Sequence, residues 1–180
     1  MEVFTERSKD MGLNLNSFKA ALNTEQLEQM EKEYKQNQGG SFQEIPTGIY
    51  PVELSRMEVS KSSWGTDQIN ISFKVTDGQY KNQLIFYNGT FDTHFAHGAA
   101  QTARLISEMT DGELDENSIL FNLTRGMDNA ANYITDLYQA LAGAYAYDLD
   151  YKVQTSNKTN PNTGKPYINK FYSIAEVFDI

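Results

Sequence analysis

Five lysines and three aromatic residues are the side chains of this sequence best suited to hold a ligand: Lys61, Trp64, Lys74, Lys81, Phe86, Tyr87, Lys158 and Lys165. Ammonium groups neutralise phosphates and ring faces stack on unpaired bases. Single-stranded nucleic acid is a ligand that needs both at once. Trp64 is the only tryptophan, lies within Ser62-Ser63-Trp64-Gly65-Thr66, and belongs to no apolar period. It can be read as an exposed stacking ring or as a plug folded back over one end of the core. Phe86 and Tyr87 are adjacent on a strand pattern, so alternation lets only one of them face outward. Lys152 and Lys170 are placed opposite each other in one register of the last hairpin, as a phosphate track or as solvated charges. Asp148 and Asp150 share the face of Lys152 and favour the second reading for it.

Other chemistries have thinner support. His94 and His97, preceded by Asp92, have the i, i+3 spacing of a helical metal pair, but further ligands must come from elsewhere. Packing at a helix start is the alternative. The acid pairs Asp111/Glu113 and Asp115/Glu116 fall in a polar stretch read as an exposed loop, whereas general acid–base catalysis needs a desolvated carboxylate. There is no cysteine, which excludes disulfides, thiolate nucleophiles and Cys-based metal sites. No phosphate-loop, dinucleotide or Ser/His/Asp signature occurs. The expectation is a protein without catalytic activity, cofactor or metal.

Charge gives a mixed answer. A net charge of −9 counts against nucleic acid when taken alone. Its distribution is uneven: residues 93–144 carry 2 basic and 7 acidic residues, whereas residues 145–180 carry 4 and 4. Residues 1–45 are net −3 and residues 46–92 net −1. The acid therefore concentrates in the arm and the middle, and the two strand-rich blocks are near neutral. No stretch approaches the roughly 20 apolar residues of a membrane span. The charged opening MEVFTERSKDMG lacks an apolar signal region, so a cytoplasmic protein is expected.

The elements that must position these residues follow from periodicity. A helix is expected over residues 18–36, ended by Gly39-Gly40, which makes residues 1–41 an N-terminal helical arm. Residues 42–180 form the folded domain. Tyr50, Val52 and Leu54 alternate with polar residues in a first strand, and Pro51 suggests an edge or a bulge. Ile69, Ile71, Phe73 and Val75 line one face of a second strand. Asp77-Gly78 turns into a third, read from Tyr80 to Thr90. Residues 93–144 read as a helical insertion, with helices over Ala99–Met109 and Asp128–Ala142. Two alternating runs, Tyr145–Val153 and Tyr167–Ile174, flank the polar joint Thr155–Pro166 and make a long final hairpin. The acidic-hydrophobic end Glu176–Ile180 is read as the finish of the last strand. Five short antiparallel strands with helix between the third and fourth is the order of a five-stranded OB-like barrel, a β-rich α+β fold.

Three segments also resemble a family of bacteriophage single-stranded DNA-binding proteins from replication and recombination modules. They are Ile45-Pro46-Thr47-Gly48-Ile49-Tyr50-Pro51-Val52, Val75-Thr76-Asp77-Gly78-Gln79-Tyr80-Lys81-Asn82, and the final hairpin with Gly164-Lys165-Pro166-Tyr167 and Asn169. The resemblance implies an OB-like domain that binds single-stranded DNA without strong sequence preference. Its partners would be single-stranded DNA, replication or recombination proteins of phage or host, and further copies of itself. The long acidic insertion and the N-terminal helix depart from the family pattern. They keep open a second class, a protein-binding accessory or inhibitor acting through the acidic insert. A third is a metal-dependent enzyme using His94 and His97.

Overall fold

The computed structural model describes residues 44–180, so the expected N-terminal helix and its Gly39-Gly40 stop lie outside the described residues. The elements run β1 (Gly48–Lys61), β2 (Asp67–Val75), β3 (Leu84–Thr90), α1 (Ala96–Met109), α2 (Glu116–Leu123), α3 (Met127–Leu141), β4 (Tyr145–Thr159) and β5 (Pro166–Asp179). The strands form one antiparallel sheet in the order β3-β2-β1-β4-β5.

Alternation in β2 puts Ile69, Ile71, Phe73 and Val75 on one fully buried face. In β1 the inward set begins with Val52 and Leu54 and continues with Met57, because a bulge between Leu54 and Arg56 shifts the register by one. Tyr138 of α3 pins that bulge, its hydroxyl donating to the Ser55 carbonyl at 3.0 Å. Pro51 lies just past the last β1–β2 pair, Val52–Val75, where β1 still pairs with β4 at Pro51–Asp148 and the Pro51 carbonyl accepts the Thr76 N–H at 2.9 Å. Ile85 and Tyr87 of β3 and Tyr147, Leu149 and Tyr151 of β4 also face the core. The helices add Ala103, Leu105, Ile106 and Met109 from α1, Ile119 and Leu123 from α2, and Ala130, Ile134, Leu137 and Leu141 from α3. No helix among the described residues is long and apolar enough to cross a membrane.

Several expected boundaries move. The third strand starts at Leu84, because Gly78 and Asn82 both adopt positive φ and Tyr80 packs edge-on against Tyr50 with ring centroids 5.9 Å apart. Asp115 and Glu116 are not in a loop: Asp115 caps α2, its carboxylate accepting the Ser118 N–H at 2.9 Å. The last hairpin is longer than the polar joint suggested, pairing as far as Thr159–Pro166 around a turn at Asn160–Lys165. Its register sets Lys152 opposite Phe171 and Lys170 opposite Val153, so the two lysines do not face each other.

The larger correction concerns closure: the sheet is open, and β3 and β5 are its two edges. Successive antiparallel pairings make β3 and β5 run in the same direction, so closing the sheet would need a parallel ladder between them. Side chains join the two edges instead. The Tyr172 hydroxyl donates to the Phe86 carbonyl at 2.6 Å, and the Tyr172 and Tyr87 rings meet edge to face at 5.0 Å. Helix α1 covers the gap. Thr102 Oγ1 donates to the Thr90 carbonyl at 2.7 Å, which leaves it to accept from the Tyr87 hydroxyl at 2.9 Å. On the other edge the Glu108 carboxylate accepts the Ile174 N–H at 2.9 Å and the Ser173 hydroxyl at 3.1 Å. Arg104 holds Glu108 at 2.7 Å and reaches the Tyr172 carbonyl at 3.3 Å. Burial pushes the Tyr87 and Tyr172 phenols up from their ordinary range.

Gly89 is built into this junction. A Cβ there would stand 2.2 Å from the Tyr87 hydroxyl and 2.5 Å from Thr102 Oγ1, both fixed by hydrogen bonds. Gly89→Ala is therefore expected to destabilise the fold by about 1–3 kcal/mol through overpacking, read as a lower urea midpoint. An unchanged midpoint would mean that the junction is loose.

Candidate nucleic-acid interface

The β1–β2 loop is closed by its own hydrogen bonds. Ser62 Oγ accepts the N–H groups of Trp64 at 3.2 Å and Thr66 at 3.1 Å, and its hydroxyl meets Thr66 Oγ1 at 2.6 Å. Gly65, at φ +80°, donates its N–H to the Ser62 carbonyl at 2.9 Å and supplies the left-handed step that turns the chain. The loop leaves the Trp64 side chain 91% exposed, so the ring does not plug the core. The reading of Trp64 as a presented ring is the one that agrees with the structure.

From this loop the outward face of β1, β2 and β3 runs in rows set by the ladder. Ser60 pairs with Gln68 and Gln68 with Thr90, then Glu58 with Asn70 and Asn70 with Asn88. Next come Arg56, Ser72 and Phe86, and last Glu53, Lys74 and Leu84. Near the loop the face is a network of amides and hydroxyls. Ser60 Oγ accepts from Asn70 Nδ2 at 2.8 Å and Gln68 Nε2 at 3.3 Å, and Gln68 also donates to Asn70 Oδ1 at 3.2 Å. Phe86 is 50% exposed on this face. Tyr87 turns inward to Thr102 and Tyr172, which removes it from any stacking surface.

The cations of this face all sit beside carboxylates. Lys74 lies 3.1 Å from Glu53 and Arg56 lies 2.9 Å from Glu58. Lys61, at the end of β1, bonds to Asp67 on the other side of the sheet, in line with Val59 and Ile69. Such exposed pairs contribute only about 0–1 kcal/mol, so a phosphate can compete for the same cations. The remaining lysines lie elsewhere. Lys81 is in the β2–β3 turn, at the opposite end of β2 from Trp64. Lys158 and Lys165 flank the tip of the β4–β5 hairpin, an arm that continues past the last β1–β4 pair, Gly48–Tyr151. The structure thus gathers Lys74 and Phe86 on one face, with Trp64 in the loop at its end, and sets Lys61 to the other side of the sheet, in line with Val59 and Ile69. It does not bring Lys81, Lys158 and Lys165 onto that face, so the expected convergence of all five lysines is corrected.

Arg56 and Asn88 are face residues that the sequence reading missed, and Asn70, on the face of Lys74 by alternation, was not counted toward the site. Arg56 hid behind the bulge: strict alternation from Tyr50 sends Arg56 and Glu58 into the core. Two charged residues at inward positions were the available signal of a register shift.

The histidines are set apart by secondary structure. His94 precedes α1, with its backbone N–H 3.0 Å and its Nδ1 2.8 Å from one Asp92 oxygen. These contacts, the backbone one foremost, hold the Asp92 carboxyl below its ordinary range. His97 is inside α1, 3.2 Å from the Gln101 amide. Among the described residues no group of three or more potential ligands is gathered for a metal. Asp111 and Glu113 are exposed in the α1–α2 turn.

Residues 32–108 match the model of a family described as a protein of unknown function, DUF669. The matched stretch takes in β1, β2, β3 and nearly all of α1. No curated protein and no solved structure matches the chain.

Because Trp64 makes no core contact of consequence, Trp64→Ala should shift unfolding stability by no more than about 0.5 kcal/mol. Urea denaturation followed by circular dichroism checks this. A loss of about 3–5 kcal/mol would restore the plug.

Proposed function

We propose that this protein binds single-stranded DNA without strong sequence preference, along the outward face of β1, β2 and β3. The observation that carries the reading is Trp64, an almost fully exposed ring on a loop whose backbone is held by the Ser62 hydrogen bonds. Exposing a tryptophan to water is unfavourable, and a loop that presents one has use for its face. Base stacking is that use: any base offers a ring, so the contact does not depend on sequence. Phe86 supplies a second ring further along the same face, Lys74 and Arg56 supply cations beside it, and Lys61 supplies one at the loop end of β1. The amides of Gln68, Asn70 and Asn88 offer donors and acceptors to base edges.

An OB-like architecture fits this reading. A parallel β3–β5 contact would complete a five-stranded barrel from the observed strand order, and the Tyr172–Phe86 bridge stands at that place. The resemblance of the three sequence segments suggests a setting in bacteriophage replication or recombination, in the bacterial cytoplasm, with other replication or recombination proteins as partners. No step of this function requires a cofactor or catalysis.

A second reading rests on the helical block. Phe121 of α2 is 59% exposed beneath the Arg125 guanidinium, 4.8 Å from the ring centroid, on an insertion that also exposes Glu113, Asp115 and Glu116. A protein partner could dock there.

Titration with oligo-dT separates the two. Trp64 fluorescence should be quenched on binding, and log affinity should fall against log salt with a slope of roughly −0.7 per phosphate contacted. Trp64→Ala should cost about 1–3 kcal/mol of binding. Absence of binding at low salt would remove the DNA reading and leave the accessory-protein reading.

A further inference from the structure

Where β3 and β5 fail to pair, they leave a groove of about 480 Å³. Phe86 and Asn88 of β3, Ile168, Lys170 and Tyr172 of β5, and Gln101 of α1 are among the residues that line it. We propose that this groove is a nucleotide pocket that takes one base of the strand together with its phosphate; the inference rests on the DNA-binding reading above. Four observations converge on it.

The first is exposed apolar surface from both edges. Phe86 is 50% exposed and Ile168 is 51% exposed, and both line the same groove, so a flat base entering it finds apolar surface from both strands. The second is charge. Lys170 is the only charged residue lining the groove, and it forms no ion pair with another described residue. On the adjoining three-stranded face every cation is matched by a carboxylate. A phosphate therefore meets an unopposed positive charge in the groove and nowhere on that face. The third is polar capacity, since the Asn88 and Gln101 amides can donate to or accept from base edges. The fourth is rigidity. Tyr172 is fixed by its bond to the Phe86 carbonyl and its contact with Tyr87, so the pocket is formed before anything enters it.

Phe86 belongs to both surfaces. A strand that stacks on Trp64 and crosses the outward face meets Phe86 and turns there into the groove. That route explains why the chain leaves the two sheet edges apart.

Ile168 and Lys170 lie off the three-stranded face, so they isolate the pocket. Oligo-dT affinity would be measured by anisotropy over a salt series for the full chain, Ile168→Ala, Lys170→Gln and, as a control on the neighbouring strand, Lys152→Gln. Ile168→Ala should weaken binding at least about threefold through lost apolar contact. Lys170→Gln should weaken it and reduce the salt slope by roughly 0.7. Lys152→Gln, whose charge already lies 3.8 Å from Asp150, should leave the slope unchanged. If the unaltered chain binds and quenches Trp64 while both groove variants match it, the pocket is overturned and the DNA reading stands. If the unaltered chain does not bind, both fall. If Ile168→Asp abolishes self-association and leaves DNA affinity intact, the groove belongs to a second copy of the chain and the pocket is overturned.

Discussion

The structure depends on how two sheet edges are held together without pairing. A strand edge is a row of unsatisfied N–H and C=O groups, and an open sheet has two. Here the gap between them is spanned by a small set of side-chain bonds. Tyr172 reaches the Phe86 carbonyl, Thr102 links Tyr87 to the end of β3, and Glu108 takes the Ile174 N–H. Helix α1 does what a parallel ladder would do, and it does so with a threonine and a carboxylate. Two glycines make the approach possible. Gly89 leaves room for the Tyr87–Thr102 contact, and Gly98 leaves room for the Thr90 methyl, which a Cβ would meet at 2.5 Å. Because the bridge is local to Tyr172, the edges beside it stay apart, and the groove is the consequence.

The same arrangement reconciles an acidic chain with an anionic ligand. Much of the described acid lies on the helical insertion: Asp111, Glu113, Asp115, Glu116, Asp128 and Asp136 are exposed there. The β1–β2–β3 face is close to neutral because its cations pair with carboxylates, Lys74 with Glu53 across strands and Arg56 with Glu58 along β1. Exposed pairs of this kind are weak and easily exchanged. The proposed path of the strand starts on this balanced face and ends at Lys170, where no carboxylate opposes a phosphate. Stacking on Trp64 and Phe86 supplies the part of the affinity that salt does not screen.

Much of the fold could be read from the sequence, and the exceptions have physical causes. β2 alternates without interruption, so its buried face was evident from Ile69, Ile71, Phe73 and Val75. The helices α1 and α3 carry clear stripes and end at Asp111-Gly112 and Gly143. What could not be read was non-local. Arg56 and Glu58 signal a bulge in β1, but the hydroxyl of Tyr138 that bonds the Ser55 carbonyl arrives from α3. The open edge depends on Thr102 and Glu108, which look like ordinary helix residues until β5 is placed beside them. For the candidate site, the polar, turn-rich surroundings of Trp64 pointed to exposure, and one of Phe86 and Tyr87 had to face out. Which one did depended on where Thr102 lay. The lysines illustrate the limit most plainly. Lys74 reaches the face because the ladder sets it there and Lys61 is turned away from it by the same ladder, whereas Lys81, Lys158 and Lys165 sit at turns whose position follows from strand length.

Hydrogen–deuterium exchange of the full chain with and without oligo-dT tests the central claim most directly, because it reads every backbone segment at once. The account predicts slowed exchange on binding in residues 62–66, 84–90 and 166–172, and none in residues 111–136. Protection confined to residues 111–136, or no protection in any of the three strand and loop segments, would contradict it.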